Sequence, residues 1–386
     1  MKTFDVAIIG GGVIGTSIAF ELAGEKLRVV VFDRQQPGRE ASWAAAGMLS
    51  PAPDSPRDLP LAPLGAESLR LYPHFVADIE MESGKSVAYA REGTLEVFSG
   101  VDGEADRDDR VRQCRQLGLS AEPLDLTAAR KWEAALGGRA RAVAWLPDEG
   151  TVEPRALTSA VIAAAQHRDV EIRGDCAVAE LICERSRCTG FVAGGERISA
   201  GHVVVAAGCF SGQLTRGSDL LGRLAPTRPV RGQMLALRPR GVSLRRVLRS
   251  ERGYLVPRRD GRMVAGSTSE EAGFQKSVTP EGVRKIFDAA LDLFPGLADA
   301  ELVETWSGLR PGTPDDLPIL GPTDVEGLLI ATGHYRNGIL LAPVTAKLTR
   351  DWIIDGQTRL DATAFSPLRF STQKSGAAVW LAPGET

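Results

Sequence analysis

Four stretches of this chain are apolar without interruption: Asp5 to Ile9, Arg28 to Phe32, His202 to Ala207 and Gly327 to Thr332. A run with no alternating polar position predicts a strand buried on both faces, the pattern of a parallel sheet. Helical periodicity lies between them. Ile14, Ile18 and Leu22 recur every four residues over Val13 to Ala23. Leu64 to Ser83 and Ile339 to Ile354 also read as helices, as does the stretch from Pro154 to about His167. Thr279-Pro280 is a helix start with an N-cap and a proline at the first position, and that helix reaches about Phe294. Alternation replaces this periodicity from Arg228 to Ser269, where Gly253 to Pro257 and Arg262 to Thr268 flank an Arg259-Asp260-Gly261-Arg262 turn and imply an antiparallel sheet. Shorter strands are expected at Gly93 to Ser99, Ala142 to Trp145, Glu171 to Arg173, Val178 to Glu184, Arg187 to Val192 and Glu301 to Trp306. Pro51 to Pro63 reads as a surface loop of lid length. The charged stretch from Gly100 to Asp109 reads as a solvated turn before a helix near Arg110 to Leu117.

The first apolar run enters a glycine turn. Gly10, Gly12 and Gly15 have the G-x-G-x-x-G spacing of a dinucleotide site. The first glycine makes the tight turn, the second admits a pyrophosphate to the backbone, and the third packs helix on strand. Asp33, ending the next strand, is placed to accept the hydroxyls of an adenosine ribose. A plain strand–turn–helix is the competing reading, and the strand and acid that follow argue against it. Gly208 and Gly333 end two further apolar strands, where a parallel sheet opens its ligand crevice. Small residues fill Ala41 to Leu49. They suit either the approach of backbone to a flat ligand or tight helix packing, and composition alone does not choose between the two.

A chain of 386 residues predicts two domains. The net charge of −3 and the lack of a basic, aromatic-laced stripe argue against nucleic acid. No apolar run nears the ~20 residues of a membrane span, and no secretory leader precedes the glycine turn, so a cytoplasmic location is expected. Five cysteines without a C-x-x-C pair and four scattered histidines predict neither a disulfide framework nor a metal site.

Several segments together resemble the glycine-oxidase branch of the D-amino-acid oxidase family of flavoproteins, the branch associated with thiamine biosynthesis. They are the glycine fingerprint, Ala41 to Leu49, Thr151 to Pro154, Gly253 to Arg258, Trp306 to Gly312 and Gly333 to Leu340. The last two are the most specific, and the resemblance runs to about Gly356. It implies an α/β fold: a Rossmann-like FAD domain of the glutathione-reductase type, discontinuous over 1–85, 150–225 and 307–360, and a second α+β domain on an antiparallel sheet from 86–149 and 226–306, with a tail at 361–386. It further implies Val13 and Ile14 at the pyrophosphate, Asp33 and Arg34 at the ribose, and Val178 at the adenine. Ala41, Ser42, Ala46, Gly47 and Met48 would lie near the flavin, with His334, Tyr335, Arg336, Asn337, Gly338, Ile339 and Leu340 along its pyrimidine edge.

The same resemblance gives Arg310 as the substrate-carboxylate anchor, Arg336 as a second substrate-side arginine and Tyr254 as a hydroxyl donor to that carboxylate. The implied reaction is oxidation of glycine, sarcosine or another small amino acid or amine, by hydride transfer from Cα to flavin N5, imine hydrolysis, and reoxidation by O2 with formation of hydrogen peroxide. A dehydrogenase of the same fold, passing electrons to a quinone or other carrier, is the alternative, and a nucleotide-binding module without redox chemistry is a second. No cysteine follows Cys209, so a noncovalent FAD is expected, whereas the related sarcosine oxidases tether theirs through a cysteine in that region. Homo-oligomers are common in the family. Three positions depart from its pattern: Asp33 stands where glutamate is common, Arg252 where histidine is expected and Ser269 where methionine is expected.

Overall fold

The computed structural model describes residues 3–184, 186–214 and 220–370. Thr3–Ile9 lies at the centre of the first sheet, parallel to Val29–Phe32 on one side and to Glu196–Val205 on the other. Glu171–Arg173 and Leu328–Thr332 extend the parallel set outward. Val6, Ala7 and Ile8 are fully buried because both faces of the sheet are covered. Helices Val13–Gly24, Leu61–Ser83, Pro154–His167 and Ala342–Ile354 pack on one face. The antiparallel strands Val178–Glu184 and Arg187–Ala193 cover the other, where Phe191 meets Phe32 edge-on at 5.1 Å. All five parallel strands point the same way. Their C-terminal loops therefore open on one crevice.

The second sheet has the strand order Glu301–Gly312, Arg228–Arg238, Met263–Gly266, Gly253–Pro257, Val247–Ser250, Thr94–Phe98, Ala142–Leu146, Glu122–Leu124. It is antiparallel apart from the Val247–Ser250 and Thr94–Phe98 pair. Helix Pro280–Leu293 backs it with Ile286, Ala290 and Leu293, and its Thr279 cap accepts from the Gly282 amide at 3.2 Å. Strand Glu301–Gly312 pairs with Arg228–Arg238 along its full length, so the boundary expected at 306/307 falls inside a single strand. A small sheet of Met48–Leu49, Gly150–Val152 and Tyr89–Ala90 stands apart from both.

The structure departs from the sequence pattern in four places. The charged stretch begins with the expected turn at Val101 and Asp102, but from Gly103 it is already helix, Gly103–Gln116. Its Glu104 and Asp106 complement the dipole of the first turn, while only Gly103, Val111 and Cys114 are buried, too few to print a periodicity. In the expected surface loop Pro51, Ala52 and Pro53 are buried, and the following helix begins at Leu61 rather than Leu64. The last long helix begins at Ala342 rather than Ile339, because Pro343 suits a first turn and Gly338 to Leu341 form a separate turn. Phe365 and Phe370 are buried, so the start of the expected tail packs on the protein, and 371–386 lies outside the described residues.

Candidate active site

The glycine turn has the geometry its spacing demands. Gly10 has φ +111°, and a Cβ there would stand 2.3 Å from the Ala206 carbonyl oxygen. A Cβ on Gly15 would stand 2.0 Å from the Gly10 carbonyl oxygen, so this residue packs helix against turn. The Gly11 amide donates to Asp33 Oδ2 at 2.8 Å and the Gln35 amide to Oδ1 at 3.0 Å. Burial raises the Asp33 pKa, and those two amides oppose the rise. Each carboxylate oxygen keeps a lone pair for a further donor. Ser42 Oγ accepts from the Val13 amide at 2.9 Å. Val13 is thus spoken for, and the Gly12 and Ile14 amides are left without a partner among the described residues. Arg34 lies with its guanidinium 3.4 Å from the Phe210 ring centroid and pairs with Glu40 at 3.0 Å.

Two further segments approach the same crevice. Gly47 has φ +78°, and a Cβ there would meet the Val152 carbonyl oxygen at 2.0 Å. Arg258 ties this segment down by donating to the Ala46 carbonyl at 2.5 Å, and burial lowers its pKa to about 10. The second segment is the turn after Gly333. Tyr72 Oη donates to the Ile339 carbonyl at 2.7 Å and Ser68 Oγ to the Leu340 carbonyl at 2.5 Å. In a trans peptide the carbonyl and the following amide point opposite ways, so the grip of Tyr72 turns the Leu340 N–H away from its helix. The Gly338, Ile339 and Leu340 amides have no partner among the described residues. The side chain of His334 turns into the protein. It is buried and bonded through Nε2 to Thr345 Oγ1 at 3.0 Å, and burial lowers its pKa to about 3, which keeps the ring neutral.

The second sheet supplies the cations. Register places Arg249, Tyr254, Gly266, Met234 and Trp306 side by side across five strands, on one face. Tyr254 Oη reaches over Gly266 to Met234 Sδ at 3.4 Å. Arg310 is half-buried in the cleft wall, donating to the Thr268 carbonyl at 3.0 Å and to Ser267 Oγ at 2.8 Å. No carboxylate among the described residues pairs with it. Burial lowers its pKa, nearby Tyr254 opposes that, and the charge of Arg336 adds to it. Arg336 instead pairs with Asp54 at 3.4 Å. Desolvation works against the Arg336 charge, but Tyr335 and Asp54 outweigh it and raise the pKa. The unexpected Arg252 points to Asp292, and Ser269 meets Tyr335 Oη at 3.4 Å.

The glycine turn, the Ala46 to Met48 segment, the turn after Gly333, Arg310 and Tyr254 line one cleft of about 3170 Å³, and of the residues expected to hold cofactor or substrate only Gly15 lies outside its wall. That volume exceeds the ~300–1,000 Å³ of a pocket for one small ligand. A dinucleotide and a substrate fit it together: unpartnered amides at one end, a flat glycine- and alanine-lined wall in the middle, an unpaired guanidinium at the other. Nothing in the chain's pattern marks Gly232, over which the Arg310 guanidinium lies so closely that a Cβ would stand 2.2 Å from Nη1. Tyr72 and Ser68 were hidden inside a helix. The one available signal was the polar tip of a tyrosine on an apolar helix face, which needs a partner when buried.

The sequence model of the family described as FAD dependent oxidoreductase matches residues 5–352. The bifunctional protein ThiO/ThiG of Synechocystis sp. is 37% identical over 378 residues, covering 96% of this chain and 54% of that protein. The chain thus spans about half the length of the bifunctional relatives it matches. Glycine oxidase of Geobacillus kaustophilus is 34% identical over 376 residues, covering 95% of this chain and 97% of that one. The crystal structure of glycine oxidase from Geobacillus kaustophilus superposes with a TM-score of 0.90 at 31% identity, covering 96% of this chain and 99% of that one. With its glycine turn, its five-stranded parallel set and a family match over nearly its whole length, the chain belongs to the FAD dependent oxidoreductase family.

Proposed function

We propose that this protein oxidises glycine or another small amino acid or secondary amine, holding FAD noncovalently and passing electrons to O2. The observation that carries the reading is Arg310, a half-buried guanidinium without a carboxylate partner among the described residues, in the same cleft as the nucleotide turn. A desolvated, unpaired cation is a ready binding site for a carboxylate, and its planar fork suits two parallel hydrogen bonds. The glycine oxidases similar to this chain support the substrate class.

In this reading the Gly12 and Ile14 amides and the helix dipole hold the pyrophosphate, Asp33 the ribose hydroxyls, and Ala46 to Met48 one face of the flavin. Bound FAD supplies the two-electron acceptor for the Cα–H. The Leu340 amide, fixed by Tyr72, meets the polar edge of the ring. Arg310 and Tyr254 grip the substrate carboxylate and set the direction of Cα. No side chain is assigned as a base. Rate then comes from orientation and from fixed charges in a cleft that the bound groups fill. Incubating the purified protein in air with a panel of small amines, while following flavin bleaching and peroxide together, tests the assignment. Bleaching without peroxide would point to a carrier-linked dehydrogenase.

A further inference from the structure

The two arginines expected to face the substrate are not equivalent. Arg310 has no acid beside it, whereas Arg336 shares its charge with Asp54 at 3.4 Å. Exposed ion pairs are often incidental, so what holds Asp54 in place matters. Asp54 ends a short segment that is anchored at both ends. Arg249 Nη1 donates to Ser50 Oγ at 2.7 Å, and Ser50 donates in turn to Glu149. Arg110 Nη1 donates to the Pro53 carbonyl at 2.5 Å. Both arginines converge on Glu96 Oε2, at 2.7 and 3.0 Å. Arg249 is also the cross-strand partner of Tyr254, so this buried cluster and the substrate-facing tyrosine share one sheet face. Ser50, Asp54, Glu96, Arg110 and Arg249 all line the cleft. Between the anchors, Pro51, Ala52 and Pro53 are buried, which fixes the backbone that presents Asp54.

We infer that Asp54 is a specificity-determining residue: by neutralising Arg336 it leaves Arg310 as the uncompensated member of the two substrate-side arginines, and so selects substrates with one carboxylate against those with two. This rests on the reading of Arg310 as carboxylate anchor. A substrate with a second carboxylate would have to displace Asp54 from Arg336 or place two anions side by side, and either costs binding. A neutral or methyl substituent meets no such penalty. The chemistry predicts acceptance of glycine and sarcosine and discrimination against amines that carry a second carboxymethyl group, such as iminodiacetate.

Sarcosine and iminodiacetate form the discriminating pair, because they differ by one carboxylate on an otherwise shared secondary amine. In the flavin-loaded protein, Asp54→Asn should lower the sarcosine-to-iminodiacetate ratio of kcat/KM by roughly three- to tenfold, the range for one partly screened charge. Adding Arg336→Ala to Asp54→Asn should cancel the shift, since the guanidinium freed by the first substitution is then gone. Competitive inhibition supplies a readout independent of turnover: malonate should gain over acetate in the Asp54→Asn protein. A ratio unmoved by Asp54→Asn, or a shift that survives loss of Arg336, would overturn the inference. Failure of the wild-type protein to oxidise either sarcosine or glycine would instead overturn the functional reading beneath it.

Discussion

Replacing Arg310 with methionine removes the guanidinium and keeps most of the side-chain volume. In the free protein Arg310 donates to two neutral acceptors, the Thr268 carbonyl at 3.0 Å and Ser267 Oγ at 2.8 Å, and pairs with no acid among the described residues. A substrate carboxylate would therefore gain a charged partner that nothing else in the protein competes for. Loss of one partner from such a desolvated charge pair costs about 2–5 kcal/mol. At 1.4 kcal/mol per tenfold, that is roughly 30-fold to several thousandfold in affinity. The fold should respond quite differently. Removing an unpaired, desolvated cation relieves its solvation penalty and offsets the two lost hydrogen bonds, worth about 0.5–1.5 kcal/mol each. The thermal midpoint should therefore stay near wild type while affinity collapses. Anaerobic titration with glycine, read from the perturbation and bleaching of the flavin bands, gives the affinity, and a thermal melt gives the stability. An apparent affinity within about threefold of wild type would refute Arg310 as the anchor, whatever the melt shows.

Gly232→Ala should reproduce part of that loss without touching a charge, because its Cβ would stand 2.2 Å from Arg310 Nη1; a raised KM at normal flavin content is the expected result. Tyr72→Phe leaves the Ile339 carbonyl without its donor, costing about 1–3 kcal/mol, and should show as a lower melting temperature and faster FAD release by flavin fluorescence. His334 is held neutral by burial, its pKa lowered to about 3 from 6.5. The unfolded chain then binds the extra proton first, so this group contributes stability above pH 6.5 that is lost as pH falls toward 3. Melting temperatures from pH 8 to pH 4 should fall less steeply in His334→Gln than in wild type, and parallel curves would remove His334 as the cause.

The parallel sheet was legible because continuous apolar runs and a fixed glycine spacing report directly on burial and on backbone approach. The helix Gly103–Gln116 was not, because it lies almost wholly in water and its sequence records solvation rather than packing. The turn over Gly338 to Leu341 merged with the helix after it, since neither propensity nor period separates a tight turn from a first helical turn. The family resemblance, not the periodicity, pointed to Arg310, Arg336 and Tyr254, and the inequality of the two arginines was invisible to it. Asp54, which distinguishes the two arginines, sits in a stretch that reads only as a proline-rich loop. His334 shows the converse. A polar side chain beside a ligand turn invites a contact role, yet its partner, Thr345, is one helical turn inside the protein.

If one cleft brings FAD and a small amino acid together with Arg310 at the carboxylate, reduction of the flavin must depend on that carboxylate. The most direct measurement is anaerobic mixing of the flavin-loaded protein with glycine, sarcosine and, as a carboxylate-free control, methylamine, followed by admission of air. Glycine or sarcosine should bleach the flavin bands, methylamine should not, and peroxide should form on reoxidation. A protein that purifies without flavin, or whose flavin bleaches as fast with methylamine as with glycine, would contradict that arrangement.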